Sequence, residues 1–419
     1  MLPTRYWLVV GTFSLSVLLY VDRICISTAK DQISADLKLD NIQFGWALSI
    51  FSLGYALFQT PGGWLADKYG PRRLLASIVV IWSIFTGLTA AATNFVTLLV
   101  VRFLFGAGEA GAFPGVARAA YSWIPMGERG IVQGINFSGS RFGGAASLMV
   151  IPWMVVSLGW KTSFIVLMLV GWIWAVVWFW WFRDEPADHR GIEPRELGYI
   201  LSSRQMHATL GEKITEAPLA LGALAKSTNL WFISLQYFCS NFTFFFCLAW
   251  LFPYMKGRFQ LDGIEAGVYS ATPLVFGAFG NWTAGWLVDK IYRDGNWVWS
   301  RRAPAMLGFS LSAIGLIGSV YTESPWASVA WFSLAVLGGD MTLASSWSCC
   351  MDIGKSHSGV VSGTMNMAGN IGSFFTALAF PYLLELTGSH QPYFFVAAGL
   401  NLMAVCIWMK IDPRIPLEQ

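Results

Sequence analysis

Four ionisable side chains stand in stretches that are otherwise almost wholly apolar: Asp22 and Arg23 in LYVDRICIS, and Arg102 and Glu109 in RFLFGAGEAGAFPGVAR. A buried carboxyl can carry a proton and a guanidinium can hold an anion through paired hydrogen bonds, so the chemistry on offer is anion binding and proton transfer. Within a lipid bilayer each such group costs roughly 2.5–3.5 kcal/mol, so each should face a cavity or a partner, and function is the default reading of charge at that depth. The four formal charges sum to zero. That balance suits a sealed site between helices, and it equally suits a structural ion-pair network. Arg102 and Glu109 are seven residues apart, which puts them on one helix face, two turns separated.

The elements that must position these groups are membrane helices. The chain has 419 residues, 55% hydrophobic and 12% charged, with 22 Trp and 31 Phe, a composition outside the range of soluble globular proteins. A helix crosses the hydrocarbon core with about 20 apolar residues. Twelve stretches qualify: 6–28, 43–66, 73–93, 96–123, 130–156, 160–182, 229–255, 264–288, 302–321, 326–350, 359–384 and 391–410. The expected fold class is therefore an all-α membrane protein. Arg5 and the sequence Ser27-Thr28-Ala29 give the first span some likeness to a secretory signal, but the further spans and the charged pair argue against that reading. All six Cys (25, 239, 247, 349, 350, 406) fall inside predicted spans without CxxC spacing, so neither disulfide nor metal is expected. A formal charge of +3 gives no ground for a nucleic-acid partner. It acts instead as a topology signal: 19 of the 27 Lys and Arg lie on the side of the N-terminus if the spans alternate, against Lys30, Lys38, Lys161, Lys256 and Arg258 on the other. Both termini are then expected in the cytoplasm, with residues 183–228 forming the one long cytoplasmic loop between an N-terminal bundle, 1–182, and a C-terminal bundle, 229–419.

The two bundles repeat one another. GGWLADKYGPRR (62–73) is echoed by AGWLVDKIYRDGNWVWSRR (284–302), matching Gly63 with Gly285 and Asp67 with Asp289. RGIVQGINFSGSRFGG (129–144) and SGVVSGTMNMAGNIGS (358–373) share Gly130/Gly359, Gly134/Gly363, Gly143/Gly372 and, further on, Pro152/Pro381 at one offset. Shared membrane composition would supply glycines but not their register. A duplicated six-span unit is the plan of transporters that alternate access to a central site. The run Gly63, Leu65, Asp67, Gly70, Arg72, Arg73 between spans two and three resembles the signature loop of the major facilitator superfamily. The resemblance implies two pseudo-symmetric six-helix bundles and a gating role for this loop, with Arg118 as the partner of Asp67 and Asp289 as its counterpart in the second half. From the residues alone, Asp67 can sit against a helix N-terminus or an Arg of its own half, while Lys68, Arg72 and Arg73 can equally serve only to enforce topology.

Around the charges, Tyr20 precedes Arg23 by one turn, Tyr55 and Gln59 share a face of span two, and Gly106, Gly108, Gly111 and Pro114 thin and bend span four. YVDR at the end of span one, Tyr55, and R-x6-E followed by A-F-P (Arg102, Glu109 and residues 112–114) resemble one branch of the superfamily, the anion:cation symporters. That branch includes bacterial hexuronate, galactonate and glucarate carriers and the animal sialin and vesicular glutamate transporters. The resemblance implies that Arg23 anchors the substrate anion, that Asp22 and Glu109 carry protons, and that Arg102 holds Glu109 ionised until a proton arrives.

The second half offers neutral polar groups: Gln236, Ser240, Asn241 and Thr243 in span seven, Ser345, Ser346 and Ser348 in span ten, and Asn366 and Asn370 in span eleven. They can pair with sugar hydroxyls or bond helix to helix. Asp340 of span ten falls where Glu109 falls in span four, and Arg141 of span five falls opposite Asn370; the readings open are a third titrating acid or a hydroxyl reader for Asp340, and a second anchor for a dicarboxylate or a pair closing the cytoplasmic side for Arg141. Span seven lacks the Arg expected of a phosphate-ester exchanger, a multidrug exporter has no need of an anion anchor, and a membrane sensor or enzyme would need a signalling domain or catalytic constellation. The four His (189, 207, 357, 390) lie in or next to loops and are expected to be solvated. The expectation is thus a non-enzymatic secondary transporter without cofactor, acting as a monomer in a bacterial inner membrane. Its substrate would be an organic anion, foremost a sugar acid, driven by protons; another small carboxylate or sodium coupling is the alternative.

Overall fold

The computed structural model describes residues 3–204, 221–261 and 263–417. Part of the expected long loop, 205–220 with His207, lies outside the described residues, as do the side chains of Lys30, Pro152, Lys256 and Pro381. Among the described residues there are helices and no strands. In chain order the helices are α1 Thr4–Thr28, α2 Lys30–Leu37, α3 Asn41–Tyr69, α4 Pro71–Thr89, α5 Phe95–Glu109, α6 Ala112–Trp123, α7 Arg129–Leu158, α8 Trp160–Trp181 and α9 Pro194–Ser203. They continue with α10 Leu221–Lys226, α11 Thr228–Ala249, α12 Leu251–Phe259, α13 Gly263–Arg293, α14 Trp297–Val320, α15 Pro325–Gly354, α16 Ser358–Thr387 and α17 Gln391–Trp408.

Each expected span falls on helix. Among the described residues, eight stretches are long and apolar enough to cross a membrane; one of these, Pro325–Thr376, covers most of spans ten and eleven. Spans two, five and eight lie on α3, α7 and α13, of 29, 30 and 31 residues. Outward-facing apolar side chains such as Val156 and Trp180, each 82% exposed, are what a lipid-facing surface requires. Two spans are divided: span four breaks at Ala110–Gly111 between α5 and α6, and span seven at Trp250 between α11 and α12. The starts of α3 and α5 are written in the sequence as capping boxes, Asp40 with Gln43 and Asn94 with Thr97.

Contacts group the chain into two compact units that cut across the linear halves. Unit 1 is Met1–Pro125, Ser138–Pro218 and Gly354–Met367; unit 2 is Met126–Phe137, Leu219–Ile353 and Ala368–Gln419. Helices α7 and α16 are each shared, and the repeat explains how. Within unit 2 a Cβ on Gly134 would strike the Asn281 carbonyl of α13; within unit 1 a Cβ on Gly363 would strike the Gln59 carbonyl of α3. Likewise Gly143 lies against Val17 of α1, and Gly372 against Phe238 of α11. The matched glycines therefore make matched backbone contacts, the kind of packing that membrane helices rely on when lipid is as apolar as their side chains. Unit 2 adds an aromatic cluster around Phe246, stacked against Phe332 and edge-on to Phe380 and Phe394.

The described part of the long loop is fixed to unit 1. Glu196 of α9 accepts from the backbone N–H of Thr4 and Arg5 at 2.8 and 3.0 Å, and so caps α1. Asp184 accepts from the N–H of Arg72 at 2.8 Å and caps α4. Of the described histidines, which were expected to be solvated, His357 is buried, while His189 and His390 are half-buried, the first edge-on to Trp123 and Trp181 and the second against Tyr254 and Phe380.

Candidate functional site

Unit 1 gathers Arg23 and Glu109. Close approach of backbones sets this up: Gly54 of α3 meets Phe103, Gly106 of α5 meets Phe51, and Gly62 meets Gly111 at the α5–α6 break. These contacts bring Tyr55 and Glu109 to the same level, and α1 places Arg23 there. Arg23 donates from Nε to Glu109 Oε1 at 2.6 Å, with Nη2 also 2.6 Å from the same oxygen. Its guanidinium lies over the rings of Tyr55 (4.4 Å), Tyr20 (5.2 Å) and Phe51 (5.3 Å). Such an aromatic cage holds a cation while leaving its in-plane donors for anions. The Glu109 side chain is 1% exposed against 18% for Arg23, and Glu109 Oε2 is buried without a hydrogen-bond partner.

Arg102 acts on Glu109 through its charge. Among the described residues Arg102 makes no ion pair; it is buried over Phe105 and Phe51, at 4.8 and 5.1 Å, with Nε unpartnered. A seven-residue separation along a helix is about 10 Å of rise, which the side chains do not bridge here. Asp22 is also apart from the pair: Trp82 Nε1 of α4 donates to its Oδ2 at 2.9 Å, and Oδ1 is buried without a partner. Trp82 has no distinguishing signal among the chain's 22 Trp.

Two of the residues expected to gate, Asp67 and Asp289, form equivalent helix caps. Asp67 accepts from Gly359 N at 2.9 Å and Val360 N at 2.7 Å at the start of α16, and lies 3.8 Å from Arg118 Nε. Asp289 accepts from Gly130 N and Ile131 N, both at 2.8 Å, at the start of α7. A carboxylate at a helix N-terminus meets both free amides and the positive end of the dipole. Gly63 is pressed against Gly359, where a Cβ would collide with backbone. Gly70, at φ 78°, makes the α3–α4 turn beside the Asp184 carboxylate. Arg72 Nε donates to Phe179 O at 2.8 Å, and Arg73 is exposed. Sequence reasoning missed a third feature, in unit 2: Asp352 at the end of α15 accepts from Arg129 at 2.6 Å, Arg301 at 2.8 Å and Trp297 at 3.0 Å, with the three charged side chains fully buried. The acid in SCCMDIG, just beyond the end of span ten, was its only signal.

The neutral polar residues divide. Gln236 and Ser346 hydrogen-bond each other, and Gln236 also receives Trp408 Nε1 at 3.2 Å and donates to Ile233 O, so these two tie helices together in unit 2. Ser240 pairs with Thr342. Asn241 lies against Gly369, Ser345 Oγ is buried without a hydrogen-bond partner, and Asn370 is half-buried on α16. In unit 1 Asn366 donates to Gln59 Oε1 at 3.0 Å. Asp340 accepts from Asn281 at 3.1 Å, and Arg141 is half-buried on α7.

A bundle of long apolar helices with buried charges and internal two-fold repetition is a membrane carrier rather than an enzyme, and comparison with known proteins gives its family. The Major Facilitator Superfamily model matches residues 12–377, and the chain belongs to that superfamily of transporters. It is 32% identical to a probable sulfoacetate transporter of Cupriavidus necator, over 95% of this chain and 92% of that one, and 30% identical to a hexuronate transporter of Bacillus subtilis, over 94% and 91%. The fold matches that of the proton:xylose symporter XylE with a TM-score of 0.75 at 15% identity, covering 97% of this chain and 96% of that one. The protein is accordingly an integral, multi-pass membrane protein.

Proposed function

We propose that the protein is a proton-coupled symporter of an organic anion, foremost a sugar acid, working by alternating access. The observation that carries this reading is the Arg23–Glu109 pair: one caged guanidinium is neutralised by one buried carboxylate. A substrate carboxylate and an ionised Glu109 would compete for Arg23. Protonation of Glu109 frees the guanidinium for the anion, so substrate binds with a proton; release on the other side reverses both. Asp22 supplies a second proton site, and Arg102, buried near both acids, offsets their charge. If two protons accompany one monoanion, each cycle moves one positive charge inward, worth about 2.3 kcal/mol per 100 mV.

Tyr20 and Tyr55 shape the cage, and Gln236, Asn241, Ser345, Ser346, Asn366 and Asn370 are the polar groups we assign to substrate hydroxyls, with Gln236 and Ser346 bonded to each other and Asn366 to Gln59 before substrate enters. Asp67 with Arg118, and Asp289, serve as gating caps with Gly63, Gly70, Arg72 and Arg73 around them. Similarity to the hexuronate transporter supports a sugar acid. Similarity to the probable sulfoacetate transporter supports a second reading, a shorter anionic substrate, for which Arg141 would be the further anchor. We place the chain as a monomer in a bacterial inner membrane with cytoplasmic termini, consistent with the distribution of Lys and Arg. The test is a thermal-shift screen of the purified protein against hexuronates, aldarates, sulfoacetate and neutral sugars. Stabilisation by an anion that is lost in Arg23→Ala is expected; stabilisation that survives the substitution refutes the anchor.

A further inference from the structure

The indole of Trp82 is fully buried on α4, and its Nε1–H is the hydrogen-bond donor that Asp22 has among the described residues. It engages Oδ2 at 2.9 Å, while Oδ1 is buried with no partner. An indole N–H can donate but not accept, so it can neither take a proton from Asp22 nor compete for one. The same contact is compatible with both protonation states: Oδ2 accepts as a carboxylate oxygen or as the carbonyl of the acid, and the proton is gained and lost at Oδ1.

We infer that Trp82 is a positioning residue for Asp22, fixing Oδ2, leaving Oδ1 as the proton site, and setting the pH at which that site exchanges. The inference rests on the proton-coupled reading of Asp22. The charged and titratable groups around Asp22 are Glu109 and Arg102 on α5 and, on α1, Cys25. Glu109 and Arg102 act on Asp22 through charge, an effect that falls off gradually with distance, whereas the indole contact is lost outright on replacement by phenylalanine.

The experiment uses the full chain in proteoliposomes, reading proton-gradient-driven uptake and counterflow of a stabilising anion across pH. Trp82→Phe keeps an apolar ring and removes the donor to the ionised carboxylate. Its uptake profile should move to higher pH by about one pH unit, a tenfold change in proton affinity, with counterflow retained. In an Asp22→Asn background, read by counterflow alone, the same replacement should leave the pH profile where it was. A Trp82→Phe profile that superimposes on wild type, or a shift that persists without Asp22, overturns the inference. Should Trp82→Phe fail to fold, infrared titration of the wild type takes its place, with the Asp22 carbonyl band identified by its loss in Asp22→Asn. A band at the lower frequency of a hydrogen-bonded acid carbonyl supports the assignment, and one at the free-carbonyl frequency overturns it. A wild type indifferent to the gradient overturns the coupling proposal and this inference together; a coupled wild type with an unshifted variant overturns this inference alone.

Discussion

Replacing Arg23 by alanine strands a carboxylate. Glu109 would keep its burial, 1% side-chain exposure, and lose the guanidinium that lies 2.6 Å from Oε1. Removing one member of a buried pair costs about 3–5 kcal/mol, because the remaining charge has neither water nor a counter-ion. With an unfolding entropy of about 2.1 cal/mol/K per residue, a chain this long changes stability by about 0.9 kcal/mol per degree, so the unfolding midpoint should fall by about 3–6 °C. Glu109→Gln alone should cost less: the cation it strands is 18% exposed and stays stacked on Tyr55. The double variant Arg23→Ala/Glu109→Gln has no stranded charge, and should be more stable than Arg23→Ala by about 1–3 kcal/mol. The assay is thermal unfolding of the four purified proteins in one detergent at pH 8. Losses that add to within about 0.5 kcal/mol would refute the pairing and with it the competition for Arg23.

Asp352→Asn leaves Arg129 and Arg301 buried without their counter-ion and should destabilise by about 3–5 kcal/mol, read as a lower unfolding midpoint; an unchanged midpoint would deny the network any structural role. Gly63→Ala puts a methyl into the Gly359 backbone and should cost about 1–3 kcal/mol while reducing transport; a fully active variant would show that α3 and α16 need not come this close. Burial works against the charge of Glu196, yet the amides of Arg5 and Thr4 and the Arg5 side chain hold it below its ordinary value of 4.5. Its contribution is therefore present above that value and is lost as pH falls through the lower folded value. Amides of the first turn of α1 should exchange with solvent faster below about pH 4 than at neutral pH, after correction for intrinsic rates, and Glu196→Ala should abolish that difference; protection independent of pH contradicts the cap.

The spans were legible because a run of about 20 apolar residues has few other uses, and the starts of α3 and α5 because Asp40-Asn-Ile-Gln43 and Asn94-Phe-Val-Thr97 carry their own caps. The break at Ala110–Gly111 was foreshadowed by the glycines around Glu109. Pairing across helices was less accessible. Spacing along α5 points to Arg102 as the companion of Glu109, whereas the observed partner comes from α1 and depends on how closely α3 packs against α5 through Gly54 and Gly106. Asp67 was read as able to meet a helix N-terminus, but which helix could be learned only from the fold: it is α16, from the other half of the sequence. Asp352 was hidden because a lone acid just beyond the end of a span gives no sign of its partners, and Glu196 because its partners lie more than 190 residues away. Gln236 and Ser346 were legible as polar side chains within spans, but their bond to each other was not.

The central claim is that protonation of Glu109 releases Arg23 for an anion, and proteoliposomes test it most directly. Uptake of a hexuronate or another stabilising anion is measured with an imposed inward proton gradient, with and without a protonophore, for wild type and Glu109→Gln. The account predicts accumulation in wild type that collapses with the protonophore, and in Glu109→Gln counterflow without accumulation. Uptake unaffected by collapsing the gradient, or a Glu109→Gln variant that still accumulates substrate, would contradict it.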